Sequence, residues 1–93
     1  MSTLQPFTAQ DYEAFAGVES ETPMFAELDA GLLLVLDGPR VELFEDGETR
    51  CWETCCWRVC ETAEEARVLA ERLCSSADPV ADAAHLDFER GPS

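Results

Sequence analysis

The feature that most constrains this chain is short. Leu32-Leu33-Leu34-Val35-Leu36 closes an apolar stretch that begins at Ala30. It stands in a chain with 20 acids, 6 bases and a net charge of −14. Five apolar residues in a row, bounded by Gly31 and by Asp37-Gly38-Pro39, read as a strand buried on both faces. Seven residues fall far short of a membrane span.

The segments on either side read as a β-meander. Met24 to Leu28 forms a short strand, and Asp29-Ala30-Gly31 turns the chain into the apolar run. Arg40 to Glu45 alternates, with Val41 and Leu43 on one side and Arg40, Glu42 and Phe44 on the other. Glu45-Asp46-Gly47 is the next turn signal. Thr49 to Cys60 then forms a long strand rich in Trp, Thr, Val and Cys. A strict two-residue Asp46-Gly47 turn would set Leu43 opposite Arg50, mixing apolar and charged residues on one face. A three-residue loop with Gly47 in a bulge sets Leu43 opposite Thr49 and Val41 opposite Cys51. That register also sets Glu42 opposite Arg50 as an ion pair and Arg40 opposite Trp52 as a cation–π contact. It is the preferred one. The Cys55-Cys56 pair blurs the alternation further on and points to a second bulge there.

Helices flank the meander. Thr8, with Asp11 three residues on, caps a first helix in which Tyr12, Phe15 and Ala16 share a face, Phe7 staples Tyr12 and Gly17 ends the element. Thr62-Ala63-Glu64-Glu65 is a capping box. Ala66, Leu69, Ala70 and Leu73 follow at the spacing of a helix packed on a sheet. A shorter helix begins at Asp78, with Pro79 in its first position, and runs to about Leu86. The expected fold is α+β. It has an N-terminal helix, an antiparallel three- to four-stranded β-meander, an amphipathic helix packed on one face and a short C-terminal helix. Residues 1–93 form a single compact domain, with 88–93 a frayed tail, and the sheet's second face or its edges stay open.

Few residues offer chemistry. Cys51, Cys55, Cys56, Cys60 and Cys74, with the single His85, could supply zinc ligands, but the two-residue spacing of a zinc knuckle is absent. Five is an odd number, so the cysteines cannot all pair within one chain. They read as free thiols packed as small hydrophobes, with a disulfide or a metal site as the alternatives. A Cys–His dyad of His85 with Cys74 or Cys60 is weighed against a surface or packing histidine, and the second is preferred. No Asp/Glu spacing forms a calcium loop. The reading is therefore not an enzyme, with no catalytic residue, no metal and no cofactor. Trp52 and Trp57 would face opposite sides of a regular strand, which leaves one for the core and one as an interface anchor; with a bulge, both could fill the core.

The acids carry what functional signal there is. Residues 1–39 hold seven acids and no base, while residues 40–93 hold thirteen acids and all six arginines. There is no lysine. Such a balance argues against binding nucleic acid directly or docking on an anionic membrane. Solubility of a small domain asks for a net charge of only about 2–8. A larger excess weakens the fold by self-repulsion. Carboxylates at alternate strand positions or one helical turn apart have spacings comparable with phosphates along a nucleic-acid strand. Glu42, Glu45, Asp46, Glu48 and Glu53 gather around one hairpin, and Glu61, Glu64 and Glu65 follow at the next helix start. With Trp52 they form the candidate partner-binding set. A solvated surface from an acid-rich proteome is the alternative.

In its general character the whole chain resembles phage-encoded anti-CRISPR proteins of the acidic DNA-mimic kind: very acidic, α+β, helix–meander–helix with tight turns. The resemblance rests on no motif and carries no site residue across. It implies a cytoplasmic inhibitor that occupies the basic DNA- or PAM-reading groove of a CRISPR effector complex. The N-terminus lacks the basic start and apolar run of a signal peptide, in keeping with the cytoplasm. Two other readings remain open. One is an accessory or regulatory protein binding an ordinary protein through an apolar patch that includes a Trp. The other is a zinc-binding module using the cysteines.

Overall fold

The computed structural model describes residues 3–9, 22–28, 31–46 and 52–90, and at positions 46, 52 and 53 the backbone alone. Among the described residues six strands form one antiparallel sheet in sequence order. They are β1 (Gln5–Pro6), β2 (Met24–Glu27), β3 (Leu32–Asp37), β4 (Arg40–Asp46), β5 (Trp52–Val59) and β6 (Glu89–Arg90). Two helices among the described residues, α1 (Ala63–Cys74) and α2 (Pro79–His85), lie between β5 and β6. The α+β class holds, but the sheet has six strands rather than three or four. The additional ones are the two-residue edge strands β1 and β6. They are too short to leave a periodic signal, and β6 falls where a frayed tail was expected. The helix expected from Thr8 to Gly17 lies outside the described residues for most of its length. Phe7, at its start, donates its N–H to the Pro23 carbonyl at 3.2 Å and packs its ring edge-on against Phe25 at 5.8 Å.

β3 is the middle of the core. Leu33, Leu34, Val35 and Leu36 are all buried, so both faces of this strand are covered. Leu34 sits opposite Leu43, and Leu36 opposite Val41. On that face, Leu34, Leu36, Val41, Leu43, Cys56 and Cys60 pack against Ala66, Leu69, Ala70 and Leu73 of α1 and against Ala83 and Phe88. Leu33 and Val35 are buried on the other face, beside the Phe25 that pairs with Val35. An open second face is thus corrected at β3, where Leu33 and Val35 are buried. Burying one leucine side chain stabilises the fold by about 1.5–3 kcal/mol. The whole sheet is organised around this strand for that reason.

The β3–β4 hairpin closes through Gly38-Pro39, with Asp37 opposite Arg40. Gly38 has φ 58°, and the proline ring holds the next φ negative. This is the pattern of a type II′ turn, whose twist suits a tight hairpin. Cys60, just past β5, donates its N–H to the Pro39 carbonyl at 2.7 Å and ties the strand end to this turn.

The β4–β5 register differs from the sequence expectation. Leu43 faces Cys56, not Thr49; Val41 faces Arg58, not Cys51; Glu42 faces Trp57, not Arg50; Arg40 faces Val59, not Trp52. β4 continues through Asp46 and β5 begins at Trp52, so the three-residue loop is replaced by a longer connection. Packing decides the register. It buries Cys56 beside Leu43, and it brings Arg58 to α1 and α2. There Arg58 donates from Nη1 to the Leu86 carbonyl at 2.8 Å and lies 3.8 Å from Glu65. The bulge expected at Cys55-Cys56 is present. Leu43 pairs with Cys56 and Phe44 with Thr54, which leaves Cys55 as the extra residue.

Both helices follow their sequence signals. The Thr62 hydroxyl accepts the Glu65 N–H at 3.1 Å, and Ala66, Leu69, Ala70 and Leu73 are buried. Asp78 caps α2 by accepting the Ala81 N–H at 3.3 Å, and Pro79 stands at the first position. The end of α2 carries no glycine. Asp87 takes φ 61°, a left-handed conformation that a short polar residue tolerates. This lets Phe88 donate its N–H to the Ala83 carbonyl at 3.2 Å and turn its ring into the core beside Ala83. The pattern is that of a Schellman cap.

Two substitutions test this account of the fold by urea denaturation. Leu43→Ala should cost about 2–5 kcal/mol, since it opens a cavity at a fully buried site. Thr62→Ala should cost about 1 kcal/mol through loss of the cap.

Candidate functional site

The hairpin formed by β4 and β5 carries most of the residues singled out from the sequence. Glu42 lies on the face away from the helices, and its side chain is only 14% exposed. It accepts the Thr54 hydroxyl at 2.6 Å and pairs with Arg40 at 3.0 Å. Arg40 in turn lies over the Trp57 ring, 5.8 Å from its centre. The expected ion pair and cation–π contact therefore both exist with other partners: Arg40 replaces Arg50, and Trp57 replaces Trp52. Strand neighbours on one face reach each other directly, and the true register supplies Trp57 and Thr54 across the strand. Glu42 is thus a neutralised group inside a small network and presents little free charge.

Toward the hairpin end two acids occupy opposed strand positions. Glu45, which is exposed, stands directly opposite Glu53, and Asp46 stands opposite Trp52. Glu48 lies outside the described residues. Like charges at opposed positions on neighbouring strands destabilise a sheet. The bulge at Cys55 also changes the phase of β5, so position 52 falls in step with Thr54 and Trp57 rather than with Cys56.

The second acidic group is separate. Glu61, Glu64 and Glu65 are exposed at the start of α1, and Glu65 is engaged by Arg58. An extended strand rises about 3.3 Å per residue, so β5 holds the two groups roughly 25 Å apart. The structure brings Glu45, Asp46 and Glu53 together at one end of β5, and Glu61, Glu64 and Glu65 at the other. Between them, the outer face of α1 carries both signs, with Arg67 bonded to Glu71 at 3.4 Å.

The cysteines form a different feature. Cys55, Cys56, Cys60 and Cys74 are free thiols, the last three buried. The bulge sets Cys55 beside Cys56 in β5. Arg90 of β6 stands opposite Cys56. Burial, reinforced by Cys55, pushes the Cys56 thiol up to about 12. Burial and then Glu45 raise Cys55 as well. Cys60 and Cys74 are raised chiefly by burial. His85 is exposed on α2. Among the described residues no three His, Cys, Asp or Glu side chains gather as metal ligands. No described helix is long and apolar enough to cross a membrane.

Sequence reasoning missed Thr54, and of the two tryptophans it named it took Trp52 rather than Trp57 for the arginine contact and the partner-binding set. Both follow from the register and bulge of β5, for which adjacent cysteines in a strand were the available signal. No protein-family model matches this chain, and no curated protein or solved structure matches it either.

The raised thiols have a consequence for pH dependence. An unfolded thiol loses its proton near pH 9, while native Cys56 holds its proton to about pH 12. Between these values the native state binds more protons than the unfolded one, so stability falls as pH rises. The urea midpoint should be insensitive to this group below pH 8.5 and decline from pH 9 upward. Cys56→Val should make that decline shallower.

Proposed function

We propose that this protein is a small acidic binding protein that blocks the basic nucleic-acid groove of a partner by imitating polyanion charge, a CRISPR effector complex being the favoured partner. The observation that carries this reading is the opposition of Glu45 and Glu53 across the β4–β5 hairpin. Two acids at opposed positions weaken the sheet, and Asp46 adds charge at the same end of the hairpin. A surface that must meet a row of lysines and arginines gains from that concentration of charge, because it steers association and displaces counterions. The hairpin end is the principal contact. Glu61 and Glu64 form a second one about 25 Å away along β5. Glu42 and Glu65, each held by an arginine, support the neighbouring structure, with the Trp57–Arg40 pair behind them. The cytoplasm is the compartment in which such a partner would be met.

A second reading has its own observation. Val59 is 62% exposed, opposite Arg40 and two residues from the half-buried Trp57. A protein partner of ordinary charge would use this apolar corner, and its binding would change little with salt.

Competition with a fluorescent DNA duplex for purified CRISPR effector complexes tests the first reading. Displacement of the duplex should weaken about 10–100-fold between 50 and 200 mM salt. Joint substitution Glu45→Lys, Asp46→Lys and Glu48→Lys should abolish it while circular dichroism stays unchanged. Displacement that survives charge reversal and is indifferent to salt would overturn the reading; its loss in Val59→Asp would favour the apolar corner.

A further inference from the structure

We propose that Trp57 and Glu89 form a seat for one arginine side chain of a protein partner, on the sheet face away from the helices. The β4–β5 and β5–β6 registers set up the row Glu42, Trp57, Glu89, in which Trp57 stands opposite a glutamate on either neighbouring strand. Directly opposed residues share a face and hold their Cβ atoms about 4.5–5.5 Å apart. One side of this row is engaged from within the chain. Arg40 of β4 pairs with Glu42 at 3.0 Å and lies 5.8 Å from the centre of the Trp57 ring. The β6 side offers the same two groups, an indole and a carboxylate. Glu89 there is exposed and takes part in none of the ion pairs between described residues. Arg90, its neighbour in sequence, stands opposite the buried Cys56 and so belongs to the helix-covered face.

The chemistry of the row selects the occupant. A cation is drawn to the face of an aromatic ring. A guanidinium is planar and weakly hydrated, so it stacks there while its fork of N–H groups meets a carboxylate. A lysine ammonium is a compact, strongly hydrated charge and gains less from the indole. Val59 follows two residues after Trp57 on the same face and is 62% exposed. It gives the methylene stem of the arginine an apolar wall. Charge favours the same occupant, since a chain of net charge −14 attracts cations. The Arg40 contact is thus the pattern that an arginine from outside repeats one strand over. The seat lies beyond the hairpin-end contact. It rests on the reading of a basic partner only for the source of the arginine, and a free peptide can supply that instead.

Titration of the isotope-labelled, full-length chain with the capped tripeptide Gly-Arg-Gly, followed by NMR, tests the seat. The Trp57 indole N–H, assigned by its loss in Trp57→Phe, should shift saturably. The matching Gly-Lys-Gly peptide should bind about 2–5-fold more weakly. Glu89→Gln should weaken the arginine peptide about 2–5-fold. Glu71→Gln, the same change of charge on the outer face of α1, should leave its affinity unchanged. Circular dichroism confirms that both variants are folded. An unmoved Trp57 signal, equal binding of the lysine peptide, or equal weakening by Glu71→Gln would overturn the proposal. An unmoved Trp57 signal alongside duplex displacement that is lost on reversing the hairpin acids would sink the seat and leave the basic-groove reading standing. Saturable, Glu89-dependent arginine binding alongside salt-indifferent displacement would do the reverse.

Discussion

Everything in this molecule depends on burying β3 from two sides. Leu33, Leu34, Val35 and Leu36 are all inaccessible, and a sheet can meet that demand only if both of its faces are covered at the centre. α1 and α2 cover one face. They do so with small residues, Ala66, Ala70 and Ala83, which let the helices come close, and with Leu69 and Leu73, which fill the remaining space. The rest of the fold follows outward from this strand. β2 and β4 pair with it, β5 pairs with β4, and the two-residue strands end the sheet on either side. Short edges of this kind also limit edge-to-edge association.

Electrostatics is the opposing term. A net charge of −14 on 93 residues pushes the folded chain apart. Several of the scarce arginines are placed where they relieve this and also join elements. Arg40 links Glu42 and Trp57 on the helix-free face. Arg58 joins β5 to α1 through Glu65 and to the end of α2 through the Leu86 carbonyl. The two ion pairs are worth little individually in water. The Arg58 bond to a backbone carbonyl matters more, because it satisfies the last turn of a short helix that has few other ties.

The sequence made some of this legible, for identifiable reasons. Local signals were sufficient for α1 and α2, because Thr62, Asp78 and Pro79 act within a few residues of themselves. The strands β2 to β4 were legible from the apolar run and from Asp37-Gly38-Pro39. The β4–β5 pairing was not. Turn chemistry at Glu45-Asp46-Gly47 favoured a tight loop, while burial of Cys56 and the engagement of Arg58 by two helices favoured another register. Long-range contacts of that kind leave no local trace. The candidate site suffered accordingly. The hairpin acids were found by counting charge, but their partners depended on a register that only the assembled core determines. The strands β1 and β6 have two residues each, too few for any periodicity.

The bulge at Cys55 acts as a phase shifter within β5. Upstream and downstream of it, residues of opposite parity share a side of the sheet. With Cys56 to Val59 kept in place, the same sequence paired as a regular strand without the bulge would turn over the strand's entry, exchanging the inward and outward positions at the hairpin end. The face of the sheet on which positions 52 and 53 fall is therefore set by the accommodation of a single extra link in the backbone.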